Sequence, residues 1–230
     1  MSEITIPSKD GGSFQAYIAM PDALPAPAVI VIQEIFGVND GMKQKCDWLA
    51  SKGFIAVCPD LFWRIEPGIV LTDKTDEEWA RAFDLFQKFD VDKGIEDIKA
   101  TKHVLRGHAN ANGKVGAMGY CLGGKLAYLT STRSDIDVSV GYYGVGLGDM
   151  LDEAENISTS LMLHIAEEDE YVSKEEQEKV KSKLSGNNQV TIHSYPGMDH
   201  AFSRVGGAHY NEEAATLADN RTIEFLKGNL

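Results

Sequence analysis

The feature that most constrains this chain of 230 residues is an alternation of short apolar runs with helical segments. The run Ala28–Gln33 is almost wholly apolar, which is typical of a strand buried on both faces of a parallel sheet. Further strands are predicted at Phe54–Cys58, Val115–Tyr120, Val138–Tyr143, Leu161–Ile165 and Val190–Ser194. Helices are predicted at Gly41–Ser51, Glu77–Phe89, Val91–Arg106, Gly124–Ser131, from Ser173, and at Glu212–Leu226. This alternation predicts an α/β chain with a mainly parallel, doubly wound sheet and a site at the strand C-termini.

The beginning of the chain follows a different pattern. Ile4–Pro7 and Phe14–Met20 flank the turn Asp10-Gly11-Gly12 and predict an N-terminal antiparallel hairpin. Leu61–Thr75 has no clear periodicity and is expected to be an irregular insertion. Composition does not change along the sequence, so residues 1–230 are expected to form a single domain.

The charge and the cysteine content of the chain argue against several classes of protein. A net charge of −13 argues against nucleic-acid binding, which depends on Lys and Arg neutralising phosphates. There is no visible secretory signal, and no apolar run approaches the roughly 18 residues of a membrane span. Three cysteines suggest neither a disulfide framework nor a Cys-x-x-Cys metal site. We therefore expect a cytoplasmic protein without a membrane partner.

Gly119-Tyr-Cys-Leu-Gly123 is the motif with the clearest chemical meaning. It lies between a predicted strand and a predicted helix, and fits a G-x-nucleophile-x-G turn with Cys121 as the nucleophile. Glycine is needed where a neighbouring Cβ would clash in such a tight turn. The positive end of the following helix would favour a thiolate at Cys121.

A thiolate of this kind needs a base, and the base needs an acid to orient it. Asp169 follows the strand Leu161–Ile165 and His200 follows Val190–Ser194, so both fall in loops where such residues are expected. The competing acids in the same turn are Glu167, Glu168 and Glu170. The other histidines are less well placed: His103, His108 and His209 are expected at the surface, and His164 and His193 within strands. Cys46 and Cys58 are interpreted as buried structural residues.

Glu34 is an unusual residue, because it directly follows a strand predicted to be buried. A carboxylate removed from water is costly to ionise, and such acids cluster at functional sites. The alternative is an exposed loop acid beyond the strand end. The same loop is where a second oxyanion donor is expected, so the backbone N–H groups of Ile35 and Leu122 are candidate donors.

Several motifs together resemble the dienelactone hydrolase (carboxymethylenebutenolidase) family. They are Gln33-Glu-Ile-Phe-Gly-Val-Asn39, Cys58-Pro-Asp-Leu61, Gly119-Tyr-Cys-Leu-Gly-Gly124, Gly141-Tyr-Tyr-Gly-Val-Gly146 and His200-Ala-Phe-Ser-Arg204. The resemblance runs from about Pro25 to Leu226, and the motifs occur in family order. It implies a cytosolic, monomeric enzyme of the α/β-hydrolase fold that acts on a small lactone or ester without a cofactor or metal ion.

The resemblance also implies roles for individual residues. Cys121 would be the nucleophile, His200 the base and Asp169 the acid that orients it. Glu34 would exchange a proton with the thiol when substrate arrives, so that the resting thiol stays neutral. The family reaction opens the ring ester of dienelactone to maleylacetate.

The substrate pocket is where the sequence departs from the family. Trp79 and Phe83 stand where the family has an arginine and a tyrosine that bind the substrate carboxylate. Arg81 lies roughly 200° around the helix from Trp79 and cannot simply substitute for that arginine. Arg204 matches the second family arginine. With Phe36, these residues are the predicted substrate-binding set, and Ala201 replaces the serine that follows the base.

Alternative functions remain at this point. One is an esterase or lactonase of the same fold that acts on a more apolar substrate. Another is a redox-sensing cysteine protein of the glutamine-amidotransferase-like superfamily, which would not need Asp169 and His200 in this order. A third is a binding module that keeps the fold without catalysis.

Overall fold

The computed structural model describes residues 2–230, and the chain divides into two compact units. The first unit is Met1–Ala117 and the second is Met118–Leu230. A single strand, β5 (Ala111–Tyr120), runs from the first unit into the second. The expected single domain over residues 1–230 therefore stays a prediction, and the two units are described in turn.

The first unit begins with the predicted hairpin. Strands β1 (Ser2–Pro7) and β2 (Ser13–Ala19) pair antiparallel, with Ser2 opposite Ile18. Strand β2 also pairs antiparallel with β4 (Ile55–Pro59), and β4 pairs parallel with β3 (Ala26–Ile32). Six of the seven residues of β3 and all five of β4 are buried, as expected for strands covered on both faces.

Three helices complete the first unit. They are α1 (Asp40–Ser51), α2 (Asp76–Lys88) and α3 (Val91–Arg106), and each begins after a side chain that accepts a first-turn N–H: Asn39, Thr75 and Asp90. Helix α1 packs on β2, β3 and β4, and α3 packs on β1 and β3. Residues 60–75 contain no helix or strand, which confirms the irregular insertion.

The second unit contains the end of β5 and three parallel strands. They are β6 (Val138–Tyr142), β7 (Ser160–Ala166) and β8 (Val190–Tyr195), in the order β6-β7-β8. The helices are α4 (Leu122–Arg133), α5 (Lys174–Leu184) and α6 (Glu212–Asn229). Helices α4 and α6 both pack on β6 and β7. Since parallel strands end at the same edge, the loops after β6, β7 and β8 meet there.

The predicted elements are all present, most with bounds that differ by a few residues. One element was not predicted, a 3-10 helix at Gly148–Asn156. Among residues 2–230 no helix is both long and apolar enough to cross a membrane.

Candidate active site

The turn between β5 and α4 holds Cys121 in a rare backbone conformation. Its φ is 56° and its ψ is −116°, although it is not glycine. A conformation of this kind costs on the order of 1–3 kcal/mol and persists only when its surroundings impose it. Here the Cys121 N–H donates to the Tyr142 carbonyl at the end of β6, 3.1 Å away. The strain therefore belongs to the sharp turn predicted from the sequence.

Glycines on both sides of Cys121 make the turn possible. A Cβ on Gly119 would lie 2.0 Å from the carbonyl oxygen of Gly123. A Cβ on Gly124 would lie 2.5 Å from the carbonyl oxygen of Tyr142. Both contacts are with backbone, which cannot move aside cheaply. Any side chain at these positions would push α4 away from the strand ends.

Cys121 is the residue immediately before α4, and Leu122 is the first residue of that helix. The N–H groups of a helix's first turn have no carbonyl partner within the helix and carry partial positive charge. Cys121 is buried, with 7% of its surface exposed. A thiolate at this position would therefore be held by the helix end in surroundings with little water.

His200 and Asp169, from the loops after β8 and β7, are in contact. His200 Nδ1 lies 2.9 Å from Asp169 Oδ2 and 3.0 Å from Oδ1. A carboxylate only accepts, so Nδ1 carries the proton and Nε2 is left to face another group. Both side chains are almost fully buried. Asp169 Oδ1 also accepts the N–H of Tyr171 at 2.9 Å, which fixes the carboxylate.

The other side of the imidazole interacts with Cys121. Burial opposes the charge on His200, but the negative charge of Cys121 and the hydrogen bonds that His200 donates to Asp169 and Cys121 outweigh it and raise the pKa of His200 to about 10. A charged imidazole is therefore favoured whenever the thiolate is present. The charged imidazole lies between Cys121 and Asp169, and the Asp169 carboxylate stabilises its positive charge.

The rival acids of the same turn are all less buried than Asp169. Glu168 is exposed, and its carboxylate pairs with Lys174 at 2.7 Å. Glu170 is exposed as well, whereas only 8% of Asp169 is exposed. Among these acids the contact with His200 is made by Asp169.

Two tyrosines that the sequence analysis did not single out enclose His200. The rings of Tyr143 and Tyr171 both meet the imidazole edge-on, with centroids 5.0 and 4.9 Å away. The Tyr143 hydroxyl bonds to Ser203 at 3.1 Å. Tyr143 lies in the quoted motif that begins at Gly141, which was the only sequence signal for it.

The charge of Arg204 affects Tyr171, one of the two tyrosines beside His200. Burial and the negative charge of Glu170 raise the pKa of Tyr171 to about 12. Cys121 adds to this shift, whereas the positive charge of Arg204 opposes it. The Tyr171 hydroxyl therefore interacts electrostatically with both Cys121, the predicted nucleophile, and Arg204, the predicted carboxylate-binding arginine.

Glu34 lies in the first unit, two residues after the end of β3, and 2% of it is exposed. The alternative of an exposed loop acid is therefore wrong. Its carbonyl accepts the side-chain N–H of Gln33, and Gln33 Oε1 accepts the N–H of Leu61. These bonds anchor the start of the loop that contains Glu34 and Ile35. Their predicted roles, proton exchange and oxyanion binding, stay predictions.

The three predicted aromatic residues of the first unit form one cluster. Trp79 stacks on Phe83, with ring centroids 5.5 Å apart, and meets Phe36 edge-on at 5.0 Å. Phe36 is buried, whereas 38% of Phe83 is exposed. The cluster therefore combines core packing with an accessible apolar face.

Arg81 lies on the same helix but is held by acids. Its guanidinium pairs with Glu66 and, at 2.6 Å, with Asp84. Binding a substrate carboxylate there would first require breaking these pairs. Arg64 is also engaged, with Asp97 at 2.7 Å and Asp10 at 2.9 Å, and it fixes the irregular segment to the N-terminal hairpin.

Among residues 2–230, Glu170, Asp199 and His209 form a group that could hold a metal ion. Each offers one ligand atom, and these atoms lie within 4.8 Å of one another. Asp199 and His209 already bond to backbone groups at His200, which gives them a role without a metal.

Comparison with known proteins relates the whole chain to one family. Residues 14–230 match the Dienelactone hydrolase family. A relative from Azospirillum brasilense is 49% identical over 235 residues and covers all of both chains. A carboxymethylenebutenolidase from Pseudomonas putida is 37% identical over 223 residues, which are 97% of this chain and 94% of the relative.

A solved structure agrees with the sequence relatives. It is a crystal structure from Klebsiella pneumoniae subsp. pneumoniae of a protein assigned to the dienelactone hydrolases. It is 25% identical, has a TM-score of 0.85, and the match covers 97% of this chain and 96% of that one. These findings remove the alternative of a glutamine-amidotransferase-like protein. The chain belongs to the dienelactone hydrolase family and has its α/β-hydrolase fold.

Proposed function

We propose that this protein hydrolyses a lactone or ester through a thioester on Cys121. That it is a hydrolase of this kind agrees with its family and its carboxymethylenebutenolidase relatives. The observation that carries the cysteine mechanism is the line of contacts from Cys121 through His200 to Asp169. Nucleophile, orienting acid and base follow each other along the chain in the order typical of this fold.

In the first step the Cys121 thiolate attacks the carbonyl carbon, and the carbonyl oxygen becomes an oxyanion. The Leu122 N–H, at the start of α4, is the proposed donor to that oxygen. The His200 imidazolium gives its proton to the leaving oxygen as the C–O bond breaks. Asp169 accepts from Nδ1 throughout, so that Nε2 faces the reacting atoms.

In the second step His200, now neutral, removes a proton from water, and the resulting hydroxide attacks the thioester. The C–S bond breaks, the thiolate is restored and the carboxylic acid product leaves. For a lactone both products are parts of one opened chain. The imidazolium that forms is again stabilised by Asp169, whose burial excludes competing water.

The proposed substrate is dienelactone, which would open to maleylacetate. Arg204 supports this choice, because its charge acts on Tyr171 beside the predicted nucleophile and could bind a carboxylate. The second candidate is an ester or lactone with a larger apolar part. The half-exposed stack of Trp79 on Phe83 and the pairing of Arg81 with Glu66 and Asp84 favour it.

The test compares kcat/KM for the two dienelactone isomers, a neutral lactone and p-nitrophenyl acetate. We expect dienelactone to be preferred, and Arg204→Gln to lower kcat/KM for dienelactone while leaving p-nitrophenyl acetate nearly unchanged. A preference for the neutral substrates that persists in Arg204→Gln would instead support the apolar candidate. Absence of hydrolysis of every substrate would contradict the proposal.

A further inference from the structure

We propose that Asp199 and His209 form a clasp that positions His200 against Asp169. Asp199 and His209 are positioning residues, since neither needs to touch the substrate. The inference rests on the proposed function, because it assigns these residues to the alignment of a catalytic base. All residues of the clasp lie in the second unit.

One oxygen of Asp199 joins the two loops that carry the base and its acid. Asp199 Oδ1 accepts the N–H of His200 at 2.6 Å and the N–H of Glu170 at 3.0 Å. Glu170 directly follows Asp169 in the sequence. A single carboxylate atom therefore links the backbones that carry Asp169 and His200.

His209 binds the backbone carbonyl of His200, whose N–H is bound by Asp199. Its Nδ1 donates to the carbonyl oxygen of His200 at 3.2 Å and lies 3.6 Å from Asp199 Oδ2. Both backbone polar groups of His200 are thus bound by side chains. Those two side chains also contact each other, so the clasp closes around the backbone of the base.

The loop needs such support because it has no regular secondary structure. Residues 196–211 lie outside any helix or strand, and Ala201, next to the base, has a φ of 60°. Hydrogen bonds to an ionised carboxylate are roughly twice as strong as neutral ones. A displacement of about 1 Å in a catalytic group can cost about 10²-fold in rate, so a clasp at this position has a large effect.

The clasp is not the only link between these loops. The N–H of Glu168 also donates to the carbonyl of Met198 at 2.8 Å, and Glu167 N–H donates to Tyr195. The fold is therefore expected to survive the loss of Asp199, while the finer alignment of His200 is lost. This separates the positioning role from a purely structural one.

The test uses the full chain with Asp199→Ala, Asp199→Asn and, as a matched control, Glu168→Ala. Glu168 is an exposed acid of the same loop pair whose carboxylate is bound by Lys174. Asp199→Ala is expected to lower kcat on p-nitrophenyl acetate by about tenfold or more, with KM little changed. Asp199→Asn keeps an accepting oxygen and is expected to recover most of the rate. Glu168→Ala should behave as the unmodified protein.

The pH dependence of kcat/KM distinguishes the two roles, because a loss of stability alone would not shift it. If His200 sits less well against Asp169, its imidazolium is less stabilised, and the alkaline limb of kcat/KM shifts to lower pH in Asp199→Ala. Circular dichroism and the melting temperature check that the variants are folded; should Asp199→Ala not fold, His209→Phe gives the same comparison.

Folded variants with unchanged kcat and unchanged pH limbs would overturn the clasp. Cys121→Ala is measured in parallel: if it remains active, the proposed nucleophile itself is wrong, and that failure is distinct from failure of the clasp.

Discussion

His200 Nδ1 lies almost equally far from the two carboxylate oxygens of Asp169, at 2.9 and 3.0 Å. The proton on Nδ1 is therefore shared by both oxygens, and the imidazole ring is held in one orientation. Because Asp169 is itself fixed by the N–H of Tyr171, the acid cannot easily follow a movement of the base. This contact defines which acid of the turn at residues 167–170 takes part in the reaction.

Replacing Asp169 by Asn tests that assignment. The amide keeps the shape but can favour the wrong tautomer of His200, and we expect kcat to fall by roughly 10²- to 10⁴-fold. The alkaline limb of kcat/KM should also move to lower pH, because Asp169 contributes to the raised pKa of His200. The control is Glu167→Gln in the same turn. An equal loss of activity in the control would contradict the assignment of Asp169.

Replacing Glu34 by Gln tests its predicted proton exchange. Glu34 is almost fully buried, so the amide preserves its volume while removing the carboxyl group that would exchange the proton. We expect the rate at which iodoacetamide alkylates Cys121 to lose its dependence on added substrate analogue. Rates that respond to the analogue as in the unmodified protein would remove Glu34 from the mechanism.

The aromatic pair on α2 is predicted to set substrate choice. Trp79→Arg with Phe83→Tyr introduces a cation and a hydroxyl in place of the apolar face. We expect kcat/KM for an anionic lactone to rise about fivefold relative to a neutral one, as for a partly exposed ion pair. Phe83→Tyr alone is the control, with little expected change. A ratio that does not move in the double variant would show that this departure from the family does not determine specificity.

His164 makes the second unit sensitive to acid. Burial, followed by the charges of His193 and Arg221, holds the pKa of His164 well below its usual value. Its ring nitrogens lie 2.7 Å from the Tyr195 hydroxyl and 2.9 Å from the Thr222 hydroxyl. The unfolded chain takes up a proton near pH 6.5 and the folded chain does not, so stability is lost as pH falls below that value.

The loss from this one group is at most about 1.4 kcal/mol per pH unit. Urea unfolding between pH 7.5 and 5 should show a shallower loss of stability in His164→Gln than in the unmodified protein. His103→Gln, at an exposed position, is the control. Equal slopes in all three proteins would contradict this account.

Patterns of the sequence predicted the helices and strands because most have clear ends. Helix α3 was predicted at its observed bounds, since Asp90 accepts a first-turn N–H and Gly107 follows the last turn. Strand β5 begins at Ala111, earlier than predicted, because its first four residues are not buried and so lack the apolar signal. The 3-10 helix at Gly148–Asn156 has too short a repeat to leave a periodic pattern.

The site was predictable where it depends on strand ends and was not where it depends on loop conformation. Cys121, Asp169 and His200 follow strands, so their proximity in the second unit could be anticipated from order alone. Asp199 and His209 contact His200 only because the loop after β8 turns back on itself. Nothing in the spacing of an exposed histidine nine residues after the base indicates that contact.

The most direct test of the central claim is to find where the substrate's acyl group is attached during turnover. The protein is mixed rapidly with p-nitrophenyl acetate, quenched in acid, and examined by intact and peptide mass spectrometry. We predict one added acetyl group on the peptide that contains Cys121, no label in Cys121→Ala, and unchanged labelling in Cys58→Ala. An acetyl group on another residue, or full turnover by Cys121→Ala, would contradict the account.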